Sequence, residues 1–306
     1  MPPTQSPDVN APFGRVLTAM VTPFTDDGKL DVEGAQRLAA HLVQHGHEGL
    51  VISGTTGESP TVSDEEQVTV LRAVLEAVGD RAHIVAGVGT NDTAHSIEKA
   101  RAAEAAGAHG LLVVTPYYNK PPQSGLVAHF TAVADATGLP VMLYDIPGRS
   151  GVPIATETLV RMAEHDRVVA VKDAKGDFFA TSWVMARTDL AVYSGDDALN
   201  LGWLAHGAVG IVSVVAHVAG PRYAAMVRAV DDGDLLTAQR IHRGLLPAVR
   251  GIMTVTQGAI MVKAALHLQG VLSSPAVRLP LVPATPEQVE ALRRDLAESA
   301  LLEANA

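Results

Sequence analysis

The feature that most constrains the fold is an alternation of short apolar segments with longer segments of helical periodicity, which runs from Gly14 onward. This pattern is typical of parallel sheets built from βα units, and eight such units can close into a barrel. We therefore predict an α/β fold, a (β/α)8 TIM barrel. The predicted strands are Val16–Val21, Gly49–Ser53, His83–Gly87, Gly110–Val114, Val141–Asp145, Val168–Lys172, Ala191–Ser194 and Gly210–Val214.

Helices are predicted between the strands, and local capping signals support some of their boundaries. Ser63 and Glu66 form a capping box that starts the second helix, and Thr285 and Gln288 form another. The second box lies beyond the eighth unit, so the barrel should carry a C-terminal all-helical appendage. The predicted helices are Val32–His45, Asp64–Val78, Thr93–Ala106, Gly125–Ala136, Ala155–His165, a weakly signalled helix after Asp177, Ala198–His206 and Pro221–Asp231.

These elements divide the 306 residues into three parts. Residues 1–12 are predicted to be a flexible tail, residues 13–234 the catalytic barrel and residues 235–306 a C-terminal helical domain. Residues 1–12 have neither a basic region nor an apolar core, and no later stretch has about 18 continuous apolar residues. We therefore expect neither a signal peptide nor a transmembrane helix, no membrane partner, and a cytoplasmic location.

Charge and cysteine content exclude several classes of function. The formal net charge is −10 and Lys and Arg form no cluster, which argues against a nucleic-acid partner. The absence of cysteine removes disulfides, thiolate metal sites and a cysteine nucleophile. Any catalysis must use other groups.

Polar side chains follow several of the predicted strands at their C-terminal ends, where barrels of this class assemble their active sites. Three of the five tyrosines fall there, namely Tyr117, Tyr118 and Tyr144. Hydroxyl groups and one amine should therefore meet at one end of the barrel, its mouth. The segments are Gly54-Thr55-Thr56-Gly57-Glu58, Thr115-Pro116-Tyr117-Tyr118, Leu143-Tyr144-Asp145, Val171-Lys172-Asp173 and Ser194-Gly195-Asp196-Asp197.

Lys172 is the candidate nucleophile. Alternation along its strand directs Val169 and Val171 toward the helices, and Ala170 and Lys172 toward the barrel axis. Desolvation favours a neutral amine, which can attack a ketone and form an imine. Alternatively, Lys172 lies at the rim and reaches solvent or pairs with Asp173; the surrounding hydroxyls favour the catalytic interpretation.

Five further residues are candidates at the same end of the barrel. Tyr144 would face the axis with Lys172 and could exchange protons with the help of Thr55 and Tyr118, although a tyrosine at a barrel end is often only an amphipathic plug. The turn with Thr55 and Thr56 could bind a carboxylate through its amides and hydroxyls, or could simply be a glycine-rich connection. Arg149 could bind a second carboxylate, although an arginine in a loop is more often simply exposed to solvent without a ligand.

Two other motifs are weak. His41 and His45 have a spacing that suits a metal, with His47 just beyond, but no carboxylate motif accompanies them and their helix belongs to the outer ring. Gly87-Val88-Gly89-Thr90 lacks the third glycine and the downstream acid of a dinucleotide fingerprint. We predict neither a metal site nor a nucleotide site.

From about Val16 to its end, the chain resembles the dihydrodipicolinate synthase / N-acetylneuraminate lyase family of class I aldolases. Four motifs carry the resemblance. An arginine at the position of Arg149 is typical of the synthase branch, where it binds the carboxylate of aspartate semialdehyde, whereas the lyases typically lack it. The motifs are Gly54-Thr55-Thr56-Gly57-Glu58-Ser59, Val114-Thr115-Pro116-Tyr117-Tyr118-Asn119, Leu143-Tyr144-Asp145-Ile146-Pro147-Gly148-Arg149 and Val171-Lys172-Asp173.

The resemblance implies a mechanism without an external cofactor. Lys172 would form an imine with pyruvate, and the enamine would attack L-aspartate-4-semialdehyde, giving 4-hydroxy-2,3,4,5-tetrahydrodipicolinate on the diaminopimelate route to lysine. Thr56 would hold the pyruvate carboxylate. By the same resemblance, Gly195 and Val212 line the lysine pocket, and Thr55, Tyr144 and Tyr118 form a proton relay.

The family also implies assembly and regulation. Its usual homotetramer is a dimer of dimers in which the tyrosine matching Tyr118 enters a neighbouring subunit's site. Members inhibited by lysine typically carry a glutamate and histidines where this chain has His95, Asp64 and Gln67, so we expect weak or absent lysine feedback. A sugar-acid pyruvate aldolase, of the N-acetylneuraminate or keto-deoxy-gluconate lyase type, and a non-catalytic keto-acid-binding paralogue are the alternatives.

Overall fold

Eight parallel strands form a closed barrel in which each strand pairs with its neighbours in sequence and β8 pairs with β1. The computed structural model describes residues 10–302. The predicted fold class is confirmed, and four strands have the predicted boundaries. The strands are β1 Val16–Ala19, β2 Gly49–Ile52, β3 His83–Gly87, β4 Gly110–Val114, β5 Val141–Asp145, β6 Val168–Asp173, β7 Ala191–Ser194 and β8 Gly210–Ser213.

Twelve α-helices surround and extend the barrel within the described residues. Both predicted capping boxes are present, at Ser63 and Thr285. The helices are α1 Val32–Gln44, α2 Asp64–Val78, α3 Thr93–Ala106, α4 Gln123–Asp135, α5 Pro147–Ser150, α6 Thr156–Met162, α7 Phe178–Met185, α8 Asn200–His206, α9 Ala216–Asp231, α10 Leu235–Met253, α11 Gly258–Leu268 and α12 Pro286–Glu298.

Two helix predictions need correction. The final barrel helix begins at Ala216 rather than Pro221, with a non-helical residue at Ala219, because the proline stands in the first turn after the kink, where its missing amide costs little. The short helix α5 follows β5 directly and was not predicted, since its four residues give no periodicity.

Apolar side chains pack in two layers, one between the strands and the outer helices and one inside the barrel. Strand alternation sends Ala170 inward and Val171 outward, as predicted. Val169 was predicted to face the helices, and this is wrong: it packs against the inner layer. The pairing of β5 with β6 skips Val169, because the register shifts between Val141 and Met142, so the strand carries one extra residue there.

The N-terminal end of the barrel is closed by aromatic side chains. Phe13 is fully buried, and its backbone amide donates to the Tyr193 hydroxyl, which in turn donates to the carbonyl of Gly14. Arg15 forms a bidentate ion pair with Asp231 at 2.8 Å, joining the start of β1 to the end of α9. The open end of the barrel is therefore the one where the strands finish.

The C-terminal helices pack directly on the barrel. Helix α10 contacts α9, and α11 and α12 pack against α10. The division between a barrel of residues 13–234 and a helical domain of residues 235–306 remains a proposal, and residues 1–9 of the predicted tail and 303–306 of the appendage lie outside the described residues.

Within residues 10–302, no single helix is long and apolar enough to cross a membrane. The pair α10 and α11 passes that test only when the two helices are taken together across their bend of 113°.

Candidate active site

Lys172 lies near the end of β6 and is only 4% exposed. In the sheet it pairs with Tyr144 on β5 and with Tyr193 on β7, and its Nζ lies 4.2 Å from the centre of the Tyr144 ring. The two side chains thus face the same axis, as alternation along the strands predicted. A buried amine in contact with a phenol is suited to nucleophilic and proton-transfer chemistry.

The alternative of a rim lysine paired with Asp173 does not agree with this geometry. The Asp173 carboxylate accepts hydrogen bonds from the backbone amides of Lys175 and Gly176 at 2.9 Å and from the Thr181 hydroxyl at 2.7 Å. Asp173 therefore anchors the loop after β6 and faces away from the barrel axis.

The surroundings of Lys172 favour the neutral form of its amine. Burial is the main cause that lowers its pKa from 10.5 to about 7, and the positive charge of Arg149 acts in the same direction, while Asp197 opposes them. At neutral pH about half of these amines are therefore uncharged. An unperturbed lysine would be almost entirely protonated.

Gly195 provides the space that the Lys172 side chain occupies. A Cβ at this position would lie 2.9 Å from Cγ and 3.0 Å from Cε of Lys172, and 3.0 Å from the carbonyl oxygen of Asp173. The Gly195 amide also donates to that carbonyl at 2.7 Å. A side chain at residue 195 would displace the lysine.

Thr55 and Thr56 lie in a tight turn after β2. The amide of Glu58 donates to the carbonyl of Thr55 at 3.1 Å, and the hydroxyl of Thr22 donates to the carbonyl of Gly57 at 2.7 Å. Thr56 is buried and Thr55 is partly exposed. The turn is thus fixed both internally and from the loop after β1.

A cavity of about 310 Å³ opens beside this turn. Thr55, Tyr118, Tyr144 and Arg149 all line it, whereas Thr56, Lys172, Gly195 and Val212 do not. Lys172 contacts Tyr144, which does line the cavity, and Val212 lies in the inner apolar layer of the barrel. The remaining lining residues are Ser53, Gly54, Ser59, Pro60, Gly87, Gly89, Leu112, Val114, Tyr117, Ile146 and Ser150.

The two tyrosines of the cavity differ in environment. Burial raises the pKa of Tyr144 to about 12, although Arg149 partly opposes the shift, so this phenol keeps its proton at neutral pH. Tyr118 is 86% exposed and has a φ of 74°, in the left-handed region that non-glycine residues rarely adopt. Its side chain is therefore largely open to solvent at the edge of the cavity.

Asp197 is a site residue to which sequence reasoning gave no role. It is buried beyond β7, and its charge acts on Lys172. The signal available was the acidic pair Asp196-Asp197 at a strand end. Its carboxylate accepts from the Asn200 side chain at 3.0 Å, the Ser213 hydroxyl, and the amides of Val214 at 2.9 Å and Val215 at 3.0 Å.

No group of three or more potential metal ligands occurs within residues 10–302. The rings of His41 and His45 lie 4.1 Å apart, and His45 Nδ1 contacts the carbonyl of His41 at 2.7 Å. The dinucleotide-like segment 87–90 lies at the end of β3, where Gly87 and Gly89 line the cavity.

Comparison with known proteins identifies the family. The model of the dihydrodipicolinate synthetase family matches residues 12–299. The chain belongs to this family. The predicted fold class and enzyme class are thereby confirmed, because relatives and solved structures with the corresponding name cover almost all of the chain.

Two curated relatives are named 4-hydroxy-tetrahydrodipicolinate synthase. The protein of Kineococcus radiotolerans is 71% identical over 98% of both chains, and synthase 2 of Streptomyces coelicolor is 66% identical over 97% of this chain and 98% of its own. A solved dihydrodipicolinate synthase (DHDPS) of Cyanidioschyzon merolae with lysine bound is 41% identical, with a TM-score of 0.92 over 95% of this chain and 99% of that one. A DHDPS variant described as monomeric is 38% identical, with a TM-score of 0.91 over 95% and 98%.

The pKa of Lys172 predicts how imine formation depends on pH. Only the neutral amine attacks, so the second-order rate with pyruvate should fall about tenfold per pH unit below the pKa and level off above it. Borohydride quenching followed by mass spectrometry from pH 5.5 to about 9.5 measures the curve. Arg149→Met should shift its midpoint upward, because one cause of the lowered pKa is removed. A rate that still climbs steeply above pH 9 would contradict the buried, neutral amine.

Proposed function

We propose that this enzyme condenses pyruvate with L-aspartate-4-semialdehyde to give 4-hydroxy-2,3,4,5-tetrahydrodipicolinate, with Lys172 as the nucleophile. The observation that carries the assignment of Lys172 is its burial beside Tyr144, which lowers the pKa of the amine to about 7. The names of the relatives support the reaction.

The proposed reaction proceeds through a covalent imine and needs no external cofactor. The neutral amine of Lys172 adds to the keto carbon of pyruvate, and the carbinolamine loses water to give the imine. Loss of a methyl proton produces an enamine, whose carbon attacks the aldehyde of the second substrate. The amine of that substrate then displaces the lysine as the ring closes, so that one water is released overall.

Three hydroxyl groups are proposed to manage the protons of these steps. Thr55, Tyr118 and Tyr144 line one cavity, and Tyr144 contacts Lys172. Because burial raises the pKa of the Tyr144 phenol to about 12, this group is protonated at neutral pH and enters the reaction as a proton donor. Thr56 is proposed to bind the pyruvate carboxylate through the fixed turn, with Gly195 and Val212 shaping the lysine pocket.

Arg149 is proposed to select the second substrate. It lies on α5, exposed at the cavity's rim, and the hydroxyl of Ser150 fastens this helix to the carbonyls of Ile146 at 3.0 Å and Val152 at 2.9 Å. These bonds fix the backbone from which Arg149 extends, and its planar guanidinium can bind a carboxylate with two parallel hydrogen bonds. Aspartate semialdehyde offers such a carboxylate.

We further propose a homotetramer built as a dimer of dimers, with a cytoplasmic location. Tyr118 projects from the chain at the edge of the cavity, which supports a role in a neighbouring subunit's site. On α7, Phe179 is 78% exposed and Trp183 is 45% exposed, and apolar surface of this kind favours a contact with a second copy of the chain.

Replacement of Lys172 tests the reaction. Lys172→Ala should abolish condensation in a coupled assay, a loss of at least about 10³-fold, and borohydride with pyruvate should add a mass to the wild type at Lys172 only. Arg149→Met should still form the pyruvate adduct but lose condensation with aspartate semialdehyde. A wild type without an adduct would refute the Schiff-base proposal, and cleavage of sugar acids with no condensation would assign a lyase instead.

Mixing of two inactive variants tests the shared site. If Tyr118 acts across an isologous interface, co-expressed Lys172→Ala and Tyr118→Phe subunits should recover up to about a quarter of wild-type activity, because half of the random dimers contain one complete site. Each variant alone is the control, and sedimentation velocity measures the assembly. No recovery from verified mixed oligomers would mean that Tyr118 acts within its own subunit or not at all.

Lysine feedback should be weak. The Asp64 carboxylate is already held by His95 Nε2 at 2.8 Å and lies 3.7 Å from the ammonium of Lys99, which also donates to the Gln67 side chain. This cation would repel the ammonium of a bound lysine. Millimolar lysine should change turnover by less than about twofold. Calorimetry measures the binding of lysine, and the C. merolae enzyme is its positive control. Strong inhibition by millimolar lysine would contradict this prediction.

A further inference from the structure

Lys263 and Glu58 form a buried ion pair between the appendage and the active-site mouth. Both side chains are 1% exposed, and Lys263 Nζ lies 2.5 Å from Glu58 Oε1. Lys263 is the one charged residue of α11, whose sequence GAIMVKAALHL is otherwise almost entirely apolar. The two residues are 205 positions apart in sequence, so this contact exists only in the folded chain.

Each group in the pair has further fixed partners. Lys263 also donates to the carbonyl of Ala276 at 2.8 Å and lies 4.1 Å from the centre of the Phe24 ring. The second carboxylate oxygen of Glu58 accepts from the backbone amide of Arg278 at 2.9 Å. Both ends of the Glu58 carboxylate are therefore held by the C-terminal part of the chain.

Glu58 closes the turn that presents Thr55 and Thr56. Its φ of 57° lies in the left-handed region, which is unfavourable for a residue with a side chain and persists only where the surroundings impose it. Its amide donates to the carbonyl of Thr55 at 3.1 Å, and its carbonyl accepts from the amide of Thr61 at 2.9 Å. The side chain and backbone of Glu58 thus connect the turn with α11.

We propose that Lys263 is a positioning residue that acts through Glu58 to hold the Thr55–Thr56 turn in the geometry that binds pyruvate. This inference rests on the proposed function and extends it to a residue of the appendage. A fully buried ion pair adds little net stability compared with apolar side chains, whereas its directional contacts can fix one arrangement of the backbone. Precise placement of Thr56 matters because small displacements of binding groups reduce rates strongly.

The double variant Lys263→Met/Glu58→Gln tests the proposal. It removes both buried charges together, so that neither is left unpaired, and keeps an acceptor for the Arg278 amide. We expect a melting temperature close to that of the wild type but a fall of at least about tenfold in kcat/KM for pyruvate, mainly through a higher KM. The pH midpoint of imine formation should stay at the wild-type value, because the change acts on the turn and not on Lys172.

The matched control is the double variant Arg15→Met/Asp231→Asn. This pair also joins distant parts of the chain and is largely buried, at 18% exposure for each side chain, but it lies at the closed end of the barrel. It should lower the melting temperature and leave kcat/KM for pyruvate unchanged. A comparable kinetic loss in this control would overturn the positioning role.

The two proposals fail in distinguishable ways. A wild type that forms no pyruvate adduct refutes the proposed function, whereas a wild type with an adduct and a folded Lys263→Met/Glu58→Gln variant with wild-type kinetics overturns only the positioning role. A shifted pH midpoint in that variant also overturns it. If the double variant does not fold, Glu58→Asp replaces it, because this change keeps both charges and only shortens the side chain: raised KM for pyruvate in a folded protein supports the proposal, and wild-type KM overturns it.

Discussion

The desolvation of one amine at the barrel axis is the constraint on which the rest of the site depends. Lys172 can be buried because Gly195 leaves room for its side chain and because Tyr144 covers its Nζ with a ring face. The same burial lowers the pKa of the lysine and raises that of the tyrosine. At neutral pH the tyrosine is therefore uncharged and about half of the lysine amines are, so that under the proposed function one group can attack and the other can donate a proton. One physical cause thus prepares two opposite chemical roles.

Much of the barrel and of its mouth is predictable because the information is local. Strand alternation orients Ala170 and Lys172, and Ser63 marks the start of α2 by its cap. The prediction from alternation was wrong at Val169, because the unpaired extra residue in β6 interrupts the in–out pattern of side chains. Such an insertion leaves no recognisable pattern in the sequence.

The contacts that support the site were not predictable, because they join distant segments. The Glu58–Lys263 pair and the network of Asp197 with the loop after β8 depend on closure of the whole fold. Arg278 shows the same limit: its guanidinium makes a bidentate pair with Glu66, at 2.7 and 2.6 Å, and so ties the appendage to the capping box of α2. Sequence periodicity locates most of the elements but does not encode which side chains meet across about 200 residues. A lone lysine in an apolar helix was nevertheless a usable signal, since such a group needs a partner.

Arg149 links the binding of the second substrate to the state of the nucleophile. Its positive charge contributes to the low pKa of Lys172, so the free enzyme favours the neutral amine that attacks pyruvate. Under the proposed function, the carboxylate of aspartate semialdehyde neutralises that charge once it binds. Once the enamine has attacked the aldehyde, the nitrogen of Lys172 belongs to an iminium again, and its positive charge favours attack by the amine of the substrate. The same arginine therefore favours an uncharged nitrogen before the first substrate reacts and tolerates a charged one after the second has bound, which suits a reaction in which pyruvate must come first.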